Sequence, residues 1–112
     1  MGDNIFNITT EKELDILLKS YKCCILKASA DWCGPCKVIE PLFNELTDGF
    51  DSSNKFCIIK VDYDKGIQIK RKLKIKSIPY IASFIDGELT DIVNTSNKET
   101  IKKFFYKTYG RL

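Results

Sequence analysis

Apolar residues along this chain alternate between strand-like and helix-like spacing, and the switches mark out nine elements. Ile5-Phe6-Asn7-Ile8 reads as a short strand. Thr10 stands three residues before Glu13, the capping-box spacing, and predicts a helix over about Glu11 to Ser20 that buries Leu14, Leu17 and Leu18. Cys23-Cys24-Ile25-Leu26-Lys27-Ala28 is almost unbroken in its apolar character, as expected of a central strand covered on both faces, and Lys27 is its one discordant member. A second helix is expected from about Cys33 to Leu46, with Val38, Ile39, Leu42, Phe43 and Leu46 on its buried stripe and Pro41 kinking its interior. After a turn over Asp48 to Asn54, Lys55 to Val61 reads as a strand, and Gly66 to Leu73 as a short helix. Ser77-Ile78-Pro79-Tyr80 interrupts the pattern before a strand at Ile81 to Ile85. Asp86-Gly87 then predicts a tight hairpin into Leu89 to Val93. Ser96 and Glu99 have the spacing of another capping box, opening a closing helix over about Asn97 to Tyr109 with Ile101, Phe104 and Phe105 inward. No linker, internal repeat or low-complexity segment divides residues 1–112, so one domain is expected.

Composition narrows the classes. Hydrophobic residues at 44% and charged residues at 29% suit a globular chain with one core. The net charge of +3 is mild and its lysines are dispersed. The densest basic run, Lys70 to Lys76, is broken by Leu73 and Ile75, so it reads as a solvated helix face rather than a nucleic-acid surface. No apolar run approaches the roughly 20 residues of a membrane span, and the first residues lack the layout of a secretory signal. Five cysteines are an odd number and do not form a disulfide framework, so a reducing, cytoplasmic setting is expected.

The chemistry gathers at Trp32-Cys33-Gly34-Pro35-Cys36-Lys37. Proline lacks an N–H and fits the first turn of a helix, so Pro35 starts a helix with Cys33 at its positive end. Unpaired N–H groups there favour the thiolate. Cys36, one turn on, is placed to attack a disulfide formed at Cys33, which is the sequence of events in dithiol exchange. Cys-x-x-Cys also occurs in structural zinc sites, but those need four ligands. This chain has no histidine, and Cys23, Cys24 and Cys57 make no second such pair. Redox chemistry is the better reading, with no metal and no cofactor beyond a Cys33–Cys36 disulfide.

The whole string from Trp32 to Lys37 resembles the thioredoxin active site. Pro41, Ile78-Pro79, the Asp86-Gly87 turn and the element order β-α-β-α-β-α-β-β-α extend the resemblance over essentially the whole chain. It implies the thioredoxin fold: an α/β domain with a central mixed sheet of about five strands flanked by about four helices. The strand at Cys23–Ala28 would be central, between Lys55–Val61 and Tyr80–Ile85. It also implies roles. Cys33 would be the nucleophile and the more exposed thiol, and Cys36 the buried resolving thiol. Trp32, Gly34, Pro35 and a cis Pro79 would support them, with Trp32 shielding the disulfide. Trp32, Ile78, Pro79 and Tyr80 would face an extended substrate peptide as a strand-addition edge. The partners implied are protein disulfides and an external reductase such as a thioredoxin reductase. A monomer is the simplest expectation, and the composition points to neither nucleic acid nor membrane.

Three departures from that pattern bear on function. Thioredoxins usually carry a buried Asp where this chain has Lys27, with Lys60 matching a lysine beside it. Lys27 is therefore a candidate catalytic residue: neutral, it accepts the Cys36 proton; charged, it stabilises thiolate and raises the reduction potential. Alternatively it snorkels to solvent, or pairs with Asp62 or Asp64. Tyr80 stands where Thr is common, which would make the groove bulkier, and Asn94-Thr95 replaces a region that often has Gly. Two other readings follow from Lys27: a more oxidising oxidase or isomerase, or a binding or assembly module with weak turnover. If Lys27 and Lys60 are neighbours across parallel strands, Cys24 and Cys57 are too, and with Cys23 they are expected to serve as small buried hydrophobes.

Overall fold

The computed structural model describes residues 4–48 and 55–112. Its elements follow the expected order: β1 (Ile5–Ile8), α1 (Glu11–Ser20), β2 (Cys23–Ser29), α2 (Gly34–Asp48), β3 (Phe56–Asp62), α3 (Ile67–Leu73), β4 (Tyr80–Ile85), β5 (Glu88–Val93) and α4 (Lys98–Gly110). The expected turn at Asp48 to Asn54 lies outside the described residues beyond Asp48, which closes α2.

One five-stranded sheet has the order β1-β3-β2-β4-β5. β1, β3 and β2 run parallel, while β4 and β5 are antiparallel additions, so β2 is central. Side chains of a strand alternate between its faces, and β2 divides accordingly. Cys24, Leu26 and Ala28 join a core with Leu14 and Leu17 of α1 and Ile69 of α3. Cys23 and Ile25 join another with Ile39 and Phe43 of α2 and Ile101, Phe104 and Phe105 of α4. Lys27 falls on this second face. Helices thus cover both sides of the sheet, and the parallel strands β2 and β3 end together where the cysteine motif begins.

Local chemistry accounts for the boundaries. At α1 the Thr10 side chain accepts from the Glu13 N–H at 3.2 Å, and the Glu13 carboxylate accepts from the Thr10 N–H at 3.0 Å. At the hairpin, Asp86 and Gly87 have φ of 53° and 83°, the left-handed pair a two-residue type I′ turn requires. The second expected capping box does not form. Asn97, not Ser96, caps α4 and accepts from the Thr100 N–H at 2.9 Å. The helix begins one residue later than Ser96 would require, which puts Thr100 in the third helical position instead of Glu99. On α2, Pro41 sits inside the helix and the buried positions are Cys36, Ile39 and Phe43, with Leu42 and Leu46 half-buried against the same core. Val38 is off that stripe and 57% exposed, because it lies about 100° round the helix from Ile39, past the edge of the buried face.

Candidate active site

Helix α2 starts at Gly34, so Cys33 occupies the position just before its first turn. Cys33 and Cys36 are joined by a disulfide, with Cα atoms 5.3 Å apart. The Cys36 N–H points at Cys33 Sγ from 3.2 Å. This is one of the helix-start donors that has no partner within the helix, and here it is spent on sulfur. No acidic side chain occupies the first turn of α2, so nothing there offsets the positive end of the helix.

Cys33 is expected to be the more exposed of the two cysteines, but as residues they are about equally buried, 4% and 5% exposed. The disulfide lies under Tyr63 and Ile78, which pack with Ala30 against it. Tyr63 was not foreseen. It follows β3 directly, its N–H is held by the Ser29 carbonyl at 2.8 Å, and its hydroxyl donates to the Lys76 carbonyl. Lys70 Nζ stands 3.9 Å from the centre of its ring. Trp32 is 65% exposed. Its indole N–H donates to Asp64 at 2.7 Å, and its ring meets Tyr63 edge-on at 6.3 Å. It is therefore a fixed apolar surface beside the disulfide, not a core aromatic.

The Ile78-Pro79 bond is cis and Pro79 is buried. Asn94, one residue past β5, ties this loop down. Its Oδ1 accepts from the Ser77 hydroxyl at 2.8 Å, and its Nδ2 donates to the carbonyls of Ser77 at 3.1 Å and Pro79 at 2.8 Å. Between those two held carbonyls, the Ile78 N–H and C=O have no hydrogen-bond partner among the described residues. Tyr80 does not line the groove, contrary to expectation. Strand alternation points it with Ala82 and Phe84 into the α1–α3 core, where it is 4% exposed and its hydroxyl has no partner among the described residues.

Lys27 is 2% exposed. It neither reaches solvent nor pairs with Asp62 or Asp64. Its Nζ meets Glu40 Oε1 of α2 at 3.0 Å and stands 4.6 Å from the centre of the Phe43 ring. Burial holds its amine below the usual lysine range; Glu40 pushes back, and Lys60 adds to the lowering. Lys60 is its neighbour across the β2–β3 pair, and the same register brings Cys24 beside Cys57, with sulfurs 3.4 Å apart. Both residues and Cys23 are buried free thiols. The Cys24 thiol is pushed up by its hydrogen bond with Cys57 and by burial, and desolvation takes Cys23 up to about 12. Among the described residues no cluster of three or more His, Cys, Asp or Glu side chains could hold a metal ion, and no helix is long and apolar enough to cross a membrane.

A Cys-x-x-Cys disulfide at a helix start, packed against a loop residue whose backbone groups are open, at the end of a mixed sheet, defines a thiol–disulfide exchange protein. The profile of the thioredoxin family matches residues 5–107. Thioredoxin of Mycoplasmoides gallisepticum is 36% identical over 85 residues, spanning 76% of this chain and 82% of its own length. A solved thioredoxin from Plasmodium falciparum superposes with a TM-score of 0.81 at 29% identity, over 90% of this chain and 96% of that one. Malassezia sympodialis thioredoxin gives 0.81 at 25% identity, over 93% and 92%. The chain belongs to the thioredoxin family. It is a thiol–disulfide oxidoreductase whose redox group, the Cys33–Cys36 pair, is part of the protein itself.

Proposed function

We propose that this chain reduces disulfides of other proteins, with Cys33 as the attacking sulfur and Cys36 as the resolving one. The observation that carries the assignment is the Cys36 N–H donating to Cys33 Sγ at the start of α2, because a thiolate formed at Cys33 is stabilised there. The Cys33 thiolate attacks one sulfur of the substrate disulfide. The first substrate thiolate leaves with the electron pair of the broken bond and takes up a proton. Cys36 then loses its proton and attacks Cys33, expelling the second substrate sulfur. The chain is left with its disulfide and the substrate with two thiols. Gly34 and Pro35 shape the turn between the cysteines. Trp32 supplies apolar contact, and the open Ile78 edge, held next to Pro79, pairs with an extended segment of the substrate. An external reductase of the thioredoxin-reductase kind returns the dithiol. The protein works as a monomer in the reducing cytoplasm, in keeping with its three free thiols. The pairing of Lys27 with Glu40 favours the reductase over the more oxidising reading, since the buried cation is charge-compensated.

Insulin reduction coupled to a dithiol donor tests the activity, and Cys36→Ser tests the roles. The variant is expected to trap a mixed disulfide through Cys33, whereas Cys33→Ser traps none. Inert wild-type protein, or trapping through Cys36 in Cys33→Ser, overturns the assignment.

A further inference from the structure

Cys36 must shed a proton before it can attack, yet it is 5% exposed. A cavity of about 340 Å³ opens beside it. That volume exceeds several times the roughly 30 Å³ a water occupies in the liquid. The ionisable groups around it are Lys27 from β2, Cys36, Lys37 and Glu40 from α2, Lys60 and Asp62 from β3, and Asp31 from the loop before Cys33. Three of these are acids, and they are not equivalent. Asp62 already accepts the backbone N–H groups of Asp64 and Lys65 at 2.9 and 3.0 Å through Oδ1, turning the loop after β3. Asp31 is exposed on its loop. Glu40 lies four residues after Cys36 on α2, one turn along the same helix face. Its Oε1 is fixed by the buried Lys27 at 3.0 Å, while 46% of its side chain remains open to solvent.

We propose that Glu40, positioned by Lys27, takes the proton from Cys36 when that thiol resolves the mixed disulfide, and returns it when the disulfide is reduced again. The proton passes across the cavity to the carboxylate and from there to solvent. The sulfur electron pair left on Cys36 forms the bond to Cys33, and the bond to the substrate sulfur breaks with its pair on the substrate. Lys27 has no lone pair while it is an ammonium group, so it acts through Glu40 by holding the carboxylate at the cavity. The family's buried Asp on the strand is thus replaced by a carboxylate on the facing helix, with a strand lysine as its anchor. This inference rests on Cys36 being the resolving thiol.

The test is stopped-flow reduction of a fluorescent disulfide peptide by the reduced full-length chain, followed from acid pH to the range where thiols ionise by themselves. Formation of the Cys33 adduct and its decay are separate phases. Glu40→Gln is expected to form the adduct at the wild-type rate and to slow its decay by on the order of 100-fold at neutral pH. The deficit should shrink as pH rises, because hydroxide then removes the proton. Glu40→Asp should recover part of the loss. Lys27→Met should slow decay in an otherwise wild-type chain but add nothing to Glu40→Gln. Decay of Glu40→Gln at the wild-type rate overturns the proposal, as does an equal loss in Glu40→Gln and Glu40→Asp that is constant with pH. So does a loss in Lys27→Met with none in Glu40→Gln, which would make the lysine amine the acceptor. Absence of the first phase in wild-type protein would instead bring down the reading of Cys33 and Cys36, and this inference with it.

Discussion

Asn94→Ala isolates the clamp on the loop that carries the open Ile78 backbone. It removes the bonds to the Ser77 hydroxyl and to the carbonyls of Ser77 and Pro79 at 2.8, 3.1 and 2.8 Å. The two bonds to Ser77 are exposed, and water replaces them at small cost, about 0.5 kcal/mol each. The bond to Pro79 is partly buried and belongs to a residue with little access to solvent, so its loss should cost about 1 kcal/mol or slightly more. The sum is about 2 kcal/mol. For a domain of this size that lowers Tm by roughly 8 °C. On the proposed pairing of substrate with Ile78, a released loop must also be ordered at docking, so KM for a disulfide peptide should rise while kcat changes little. Asn94→Asp sharpens the case. It keeps an acceptor for Ser77 but sets a carboxylate against two carbonyl oxygens, and should be less stable than the alanine variant. Thermal unfolding of the oxidised proteins, with peptide-reduction kinetics, checks both parts. A Tm within about 1 °C of wild type in Asn94→Ala, or an aspartate variant as stable as wild type, refutes the reasoning.

Tyr80→Phe removes a buried hydroxyl that has no partner among the described residues and keeps the ring, so it should stabilise the fold by about 1 kcal/mol in urea unfolding. Lys27→Met should be more stable than wild type at neutral pH by about 1 kcal/mol or more, because a largely buried charge is replaced by apolar volume. The lysine pKa is depressed in the folded state, so the unfolded chain binds more protons as pH approaches 10.5, and the penalty for burying Lys27 fades there. The advantage of Lys27→Met should therefore shrink between neutral pH and about pH 10; subtracting the two stability curves removes the opposite trend from Tyr109 and Cys23, and a gap that widens would contradict the sign. Iodoacetamide added to the reduced, folded protein should modify Cys33 and leave Cys23, Cys24 and Cys57 untouched until denaturant is added, as read by mass spectrometry of peptides.

The hydrophobic pattern carried the order of elements because the helices bury one coherent stripe and the central strands bury both faces. β2 is apolar on both sides because helices cover both sides, and its register against β3 made Lys27 and Lys60, and Cys24 and Cys57, neighbours as expected. Where the reading failed, the missing information was which way a single side chain faces. Tyr80 shares the two-residue period of Ala82 and Phe84, and that alternation could have placed it in the core. Ser96 and Asn97 are both good caps, so spacing alone could not choose between them. Val38 is an apolar residue on a wet face, which no hydropathy pattern distinguishes from a buried one. Glu40 was missed: it is an acid one turn beyond Cys36, but its pairing with Lys27 depends on how α2 lies across the sheet. Asn94 reaches a loop 15 residues earlier in sequence, and nothing local in the chain announces such a contact.

The chain has one tryptophan, and it sits in the open next to Cys33. A client that pairs with Ile78 and covers Trp32 would move that indole from water into an apolar surrounding. Intrinsic emission of the unlabelled protein would shift at each encounter, so docking could be watched in real time without attaching a dye. No second indole would blur the signal.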